Sequence, residues 1–174
     1  GANNYRLRTG VITLNNLVTR TAGQTTTTLM NPTTANMTID SITMATGNTG
    51  VGNDGIPVLG LGGTSADNYV TGVISNASDF ATGQALSLTK SNASTWILQG
   101  TNTYSGVTTI SGGTLRANDN VGLPGASSTN GGSNLNLAGG ILETGANLER
   151  AGGAGQTQMR ITSGTSGFSA NGAN

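Results

Sequence analysis

The sequence predicts an all-β protein, a right-handed, single-stranded parallel β-helix (a solenoid) of about seven coils. Gly, Thr, Asn and Ser recur every few residues along the 174-residue chain, and each of them disfavours the middle of a helix. Apolar residues alternate with polar ones in short runs, and some runs resemble one another at a spacing of about 25 to 27 residues. We expect residues 1–174 to be a single β-helical repeat segment of a longer array or polymer.

Period-two alternation marks the predicted strands. The apolar pairs that it places on one face are Tyr5 and Leu7, Ile12 and Leu14, Met37 and Ile39, Ile42 and Met44, Leu86 and Leu88, Trp96 and Leu98, and Leu135 and Leu137. Such alternation is typical of strands with one buried face. Gly or Asn follows nearly all of these runs, which predicts turns between short strands.

Two segments repeat most clearly. Residues 108–116 (TTISGGTLR) and 135–143 (LNLAGGILE) superpose with a shift of 27 positions, which lays Ile110 on Leu137. The same shift superposes the paired glycines that follow each strand. Paired glycines suit corners where the backbone turns sharply.

A second similarity, at a shift of 25 positions, lays Ile39 over Leu14. Periods of this length are typical of solenoids, whereas a propeller blade needs roughly 40 residues. Because the coils of a β-helix stack about 4.8 Å apart, equivalent side chains are expected to lie above one another and to form inward ladders.

Three segments depart from the alternating pattern and are predicted to be loops. Residues 46–68 are rich in Gly and surround one short strand expected at 58–61. Residues 118–134 contain a proline, which is unsuited to a central strand. The tail from Ser163 onward is mainly Gly, Ser, Ala and Asn, with Phe168 as its anchoring side chain.

Composition excludes several functional classes. Seven basic and seven acidic residues give zero net charge, which disfavours a nucleic-acid partner. No apolar stretch approaches the roughly 18 residues of a membrane span. The chain has no Cys for disulfides or thiolate metal sites and no His for a Ser-His-Asp triad. We therefore predict no enzyme activity, no catalytic residue, no cofactor and no metal site.

Two weak candidates for site chemistry involve acidic residues. Asp40 and Asp67 are 27 positions apart, so one coil would bring them together as the carboxylate pair of a β-helical polysaccharide lyase or hydrolase. Residues 52–55 (GNDG) faintly resemble a calcium-binding repeat of β-roll proteins. For both we favour a simpler interpretation, solvated Asp residues in turns.

Whether two aromatic and two basic residues are exposed also bears on function. Trp96 and Tyr104 would form a sugar-stacking platform if their rings were exposed. We expect instead that both rings pack on a neighbouring coil, with the Tyr hydroxyl bonded to a turn. Lys90 and Arg116 are predicted to be surface groups at strand ends.

Residues 88–117, LTKSNASTWILQGTNTYSGVTTISGGTLRA, resemble the autotransporter-associated β-strand repeat, also called the passenger-associated transport repeat. The positions that carry the resemblance are Leu88, Lys90, Thr95, Trp96, Leu98, Gly100, Asn102, Thr103, Tyr104, Ser105, Gly106, Thr108, Thr109, Ile110, Gly113, Thr114 and Leu115. Asn92 and Ser94 stand where the family usually has Gly. The resemblance implies a secreted or cell-surface β-helical stalk, and its motif is structural, with no catalytic residues to carry over.

These expectations favour a structural role outside the cell or at a bacterial cell surface, as a stalk, surface layer or self-stacking filament. No polar cap is evident near either end of the sequence, so the expected partners are other copies or neighbouring repeats stacked head to tail. The alternative is an adhesin that binds glycans or a host surface through residues 46–68 and 118–134. A carbohydrate-active β-helix enzyme is the third hypothesis.

Overall fold

A computed structural model describes residues 6–14, 25–44, 56–77, 85–126, 128 and 131–172. These residues form fourteen β-strands and no helix. The strands are β1 Arg6–Leu14, β2 Thr25–Met30, β3 Asn36–Met44, β4 Ile56–Leu61, β5 Asn68–Val70, β6 Ile74–Ser75, β7 Ser87–Lys90, β8 Thr95–Leu98, β9 Thr108–Ile110, β10 Thr114–Arg116, β11 Leu135–Leu137, β12 Ile141–Thr144, β13 Met159–Ile161 and β14 Gly167–Ala170.

The strands form two parallel sheets. The eight-stranded sheet has the order β1-β3-β5-β8-β10-β12-β14, with β6 also beside β3, and the six-stranded sheet has the order β13-β11-β9-β7-β4-β2. Every pairing between these strands is parallel. The chain crosses between the sheets and returns one strand position further on, so the predicted all-β parallel solenoid is confirmed. Its right-handed winding and its count of about seven coils remain predictions.

The strand register confirms one predicted shift and corrects the other. Ile110 pairs with Leu137, and Leu115 pairs with Leu142, as the shift of 27 predicts. The shift of 25 is wrong, because Leu14 pairs with Met44, a shift of 44 − 14 = 30. Turn lengths differ between coils, so register follows the alternation along each strand and not a constant period.

Apolar ladders fill the space between the sheets. Trp96, Leu115 and Leu142 occupy successive rungs of the eight-stranded sheet, and none of them is exposed to solvent. Ile110 and Leu137 form the equivalent rungs of the six-stranded sheet and are also fully buried. Burying each such side chain contributes about 1.5–3 kcal/mol. Stacked apolar side chains are therefore the main stabilising feature of the fold.

The three segments predicted to be loops differ in how much strand structure they contain. The short strand expected inside 46–68 is present as β4, while 45–55 lie outside the described residues, as does Tyr5. The described part of 118–134 contains only an isolated bridge between Asp119 and Leu123.

The prediction of a loop from Ser163 onward is wrong over β14, which pairs with β12 and sets Phe168 above Leu142. The tail has little apolar periodicity. Strand pairing depends on backbone groups, however. The edge of β12 offers its backbone N–H and C=O groups to β14 whatever side chains β14 carries.

The inward register of β9 can be tested with neighbouring substitutions. We expect Ile110→Asp to lower the free energy of unfolding by about 4 kcal/mol, because it buries an unpaired charge in an apolar ladder. Thr109→Asp is the matched control, since Thr109 is only partly buried and points away from the core. Chemical denaturation measures both. Equal losses in the two variants would contradict the register.

Candidate functional site: buried polar clusters and an open end

The two aromatics considered as a sugar-stacking platform are buried. Neither Trp96 nor Tyr104 has any exposed surface. The Trp96 indole Nε1 donates a 2.9 Å hydrogen bond to the Gly62 carbonyl, and the Tyr104 hydroxyl lies 2.7 Å from the Thr108 hydroxyl. Sugars therefore cannot stack on either ring, and both rings pack in the interior as expected.

The Tyr104 hydroxyl belongs to a hydrogen-bonded chain that spans successive coils. The Thr108 hydroxyl also contacts the Ser133 hydroxyl at 2.8 Å, and Ser133 Oγ donates to the Gly106 carbonyl. Burial raises the pKa of Tyr104 to about 12, because the phenolate is poorly solvated there. The cluster is a neutral, fully bonded structural network.

A buried ion pair closes over this network. The Arg150 guanidinium contacts the Asp119 carboxylate through Nε and Nη2, and both side chains are almost completely buried. Arg150 also donates to the carbonyls of Ser133 and Pro124. The ion pair and these hydrogen bonds hold Asp119, Pro124 and Ser133 together around the guanidinium of Arg150. Sequence reasoning missed it, since two lone charges 31 positions apart carry no recognisable pattern.

Lys90 corrects a prediction, because it is not a surface group. Its side chain is fully buried in an inward ladder, between Leu61 and Ile110. Lys90 Nζ donates hydrogen bonds to the backbone carbonyls of Asn92 and Gly112, each at 3.0 Å. Burial lowers the pKa of Lys90 to about 8.

The turns around Lys90 have a demanding geometry. Asn92 adopts φ 56, a left-handed conformation that Asn tolerates better than most residues, so its departure from the family's Gly is compatible with the turn. Gly113 has φ 62, and a Cβ there would collide with the Asn92 carbonyl and approach Lys90 Nζ. The turn therefore requires glycine at position 113.

Arg116, by contrast, is a partly exposed group at the end of β10, as predicted. Its Nη2 lies 3.1 Å from Glu143 Oε1 on the adjacent strand. Pairs of this kind stabilise a fold only slightly.

The candidate carboxylate pair, Asp40 and Asp67, is out of register. Ile39 pairs with Val70, so the residue opposite Asp40 on the neighbouring coil is Thr71. Asp67 lies 71 − 67 = 4 residues earlier, in a turn with φ 56. No group of three or more possible metal ligands occurs among the described residues, and 52–55 lie outside them.

Two large apolar side chains are exposed at the β13–β14 end of the described stack. Among the named strands, β13 pairs with β11 alone and β14 pairs with β12 alone. Ile161 stacks on buried Leu137 and Phe168 on buried Leu142, yet the two are 60% and 51% exposed. The residues 151–153 cover β13 at Met159 alone.

A concavity of about 490 Å³ opens beside these side chains. It is lined by Thr144, Ala146, Leu148, Met159, Phe168, Ser169 and Ala170. We call the surface formed by β13, β14 and this concavity the end face. Edge strands with adjacent apolar surface bind a further strand by extending the sheet.

Comparison with known proteins identifies one repeat in the chain. Residues 88–117, which span β7 to β10, match the family model described as the passenger-associated-transport-repeat. The resemblance seen in the sequence is thus confirmed over these residues. Neither a curated protein nor a solved structure matches the chain. Within the described residues, no helix has the length and apolar character needed to cross a membrane.

Lys90 and Tyr104 give opposite pH dependences of stability. Between pH 8 and 10.5 the unfolded chain holds the Lys90 proton that the folded chain has lost, so stability rises with pH, by at most about 1.4 kcal/mol per unit. Between pH 10 and 12 the unfolded chain loses the Tyr104 proton that the folded chain keeps, so that contribution falls. We expect the sum of these two contributions to be largest near pH 10 in denaturation series.

Two variants separate these contributions. Lys90→Met removes the rise above pH 8, and Tyr104→Phe removes the fall above pH 10. A rise that persists unchanged in Lys90→Met would show that another group is responsible.

The buried ion pair gives a second prediction. We expect Arg150→Met to lower the free energy of unfolding by about 3–5 kcal/mol, because it leaves the Asp119 carboxylate buried without a partner. Adding Asp119→Asn should restore part of the loss, since the uncompensated charge is then gone. Thermal denaturation of the wild type and the single and double variants completes this cycle. A double variant no more stable than Arg150→Met would contradict the buried-charge explanation.

Proposed function

We propose that this chain is a structural segment of an extracellular or cell-surface β-helix protein, which forms a stalk, surface layer or filament by stacking of coils. The observation that carries the proposal is the pair of parallel sheets, whose inward ladders stack coil upon coil, as Trp96, Leu115 and Leu142 do. The passenger-associated-transport-repeat over residues 88–117 supports the extracellular assignment.

The end face favours a parallel coil as its occupant. Phe168 tops the ladder of Trp96, Leu115 and Leu142, so a large apolar side chain one rung further on would bury it. The backbone edges of β13 and β14 would pair with strands that run parallel to them. A similarly built coil satisfies both requirements at once.

A second copy of the chain offers such strands. At the opposite end of the stack, β1 and β2 are the last strands of the same two sheets within the part of the chain that the structure describes. They have nine and six residues, against three in β13 and four in β14, so they are long enough to cover the end face. Head-to-tail stacking would set β1 on β14 and β2 on β13. A head-to-tail contact generates a filament when its rotation does not close a ring, and stacking along the solenoid axis is of this kind.

We also propose that the chain is not an enzyme. The dispersed carboxylates support this, since Asp40 and Asp67 are out of register. The buried charged groups Lys90, Asp119 and Arg150 are engaged in bonds to turns and to each other. The adhesin alternative loses its aromatic platform, because Trp96 and Tyr104 are buried.

Self-association of the purified chain tests the stacking proposal. We expect sedimentation to show concentration-dependent association and electron micrographs to show single-file rods. The double variant Ile161→Lys/Phe168→Lys should weaken association at least about tenfold, because it places two charges in the contact.

The matched control is Ile141→Lys. Ile141 is 40% exposed and lies on the outer side of β12, beside Gly167 of β14 but outside the inward ladders that the stacking contact would cover. It should leave association unchanged. A wild-type chain that stays monomeric at high concentration, or equal effects of control and double variant, would overturn the stacking proposal.

A further inference from the structure

A second concavity, a groove on the outer side of the eight-stranded sheet, adjoins the end face at Asn171, which follows β14. Its volume is about 360 Å³, within the lower part of the range of small-molecule pockets. The lining residues are Ile97, Leu98, Gln99, Arg116, Ala117, Asn118, Val121, Gly145 and Asn171. We propose that this groove binds a neutral oligosaccharide segment, on the following grounds.

An outward ladder gives the groove an apolar side. Tyr69 pairs with Ile97, and Ile97 pairs with Arg116. The neighbours of Tyr69 along β5 are fully buried, so its ring points to the outer face, where it is partly exposed. Ile97 lies outside the core cluster although it is nearly covered. Ile97 therefore gives the groove a small apolar area, and Tyr69 lies one rung beyond the lining residues, where a sugar extending out of the groove would meet its ring.

Amide groups supply the polar side. The exposed side chains of Gln99 and Asn171 make no hydrogen bond to any other described residue. Asn118 Oδ1 accepts bonds from the Thr144 hydroxyl and the Gly145 amide, which fixes this side chain and leaves its amide nitrogen to donate. Amides can donate and accept together, as a pair of sugar hydroxyls requires.

The charges of the groove favour a neutral ligand. Arg116, the one charged lining residue, is paired with Glu143 at 3.1 Å, so an anion gains little there. Arg116 Nε is buried and has no hydrogen-bond partner in the described structure, so a ligand oxygen that reached it would satisfy it. An alkyl chain would leave these donors without partners.

The opposite wall is held in place before any ligand binds. Val121, 37% exposed, forms it. Buried Asn102 donates through its backbone to the Val121 carbonyl and through Nδ2 to the Gly122 carbonyl, both at 2.8 Å. A fixed wall lowers the conformational entropy that binding costs.

Nuclear magnetic resonance titration of the ¹⁵N-labelled chain tests this site. The probes are neutral oligomers of glucose, mannose, galactose and xylose at millimolar concentrations, with oligogalacturonate as an anionic comparison. At least one neutral probe should shift the amide signals of Ile97, Gln99 and Asn118. The double variant Gln99→Ala/Asn171→Ala should weaken that binding about tenfold.

Thr89→Ala is the matched control, because Thr89 lies on the outer side of the other sheet. It should bind as the wild type does. Three results would overturn the proposal: no neutral probe shifts the groove signals, binding is unchanged in the double variant, or oligogalacturonate binds more tightly than every neutral probe. The groove and the concavity of the end face share no lining residue, so the titration and the self-association experiment test different residues.

Discussion

Every rung of this solenoid must place a compatible side chain directly above the one before it. Parallel pairing fixes which residues stack, so an inward position holds either an apolar group or a polar group with all its bonds made. Leu115 and Leu142 meet the first condition. Lys90 meets the second, because backbone carbonyls of the turns accept its ammonium protons. The candidate functional surfaces follow from this constraint.

Buried asparagines let the coils vary in length without losing that register. Asn68 donates through Nδ2 to the carbonyls of Ser65 and Thr95, and so ties its own turn to the next coil. Asn102 binds both neighbouring coils, at Ile74 and Gly122. The spacing of successive rungs in one ladder can therefore vary. Trp96 lies 96 − 68 = 28 residues after Asn68, and Leu115 lies 115 − 96 = 19 residues after Trp96. Side-chain amides replace the backbone bonds that irregular turns cannot make.

The same arrangement separates two kinds of surface. The end face repeats the interior chemistry of the stack, so it suits a partner built in the same way. The groove contains side chains that point outward between the inward positions of the ladders. These side chains can be replaced without changing the packing of the core. Residues 88–117 illustrate the division, since Trp96, Tyr104 and Lys90 of the repeat motif are all buried and serve the fold.

The sequence by itself determined the strand content, the parallel stacking and the 27-residue register of β9 to β12, because period-two alternation and paired glycines are local signals. It misplaced Lys90, because no local pattern shows that carbonyls from two turns converge on one ammonium. The Arg150–Asp119 pair, the exposure of Phe168 and the groove beside Ile97 were decided only by the tertiary structure. Each depends on turn lengths that bring distant residues together, and turn length leaves no periodic trace in a sequence.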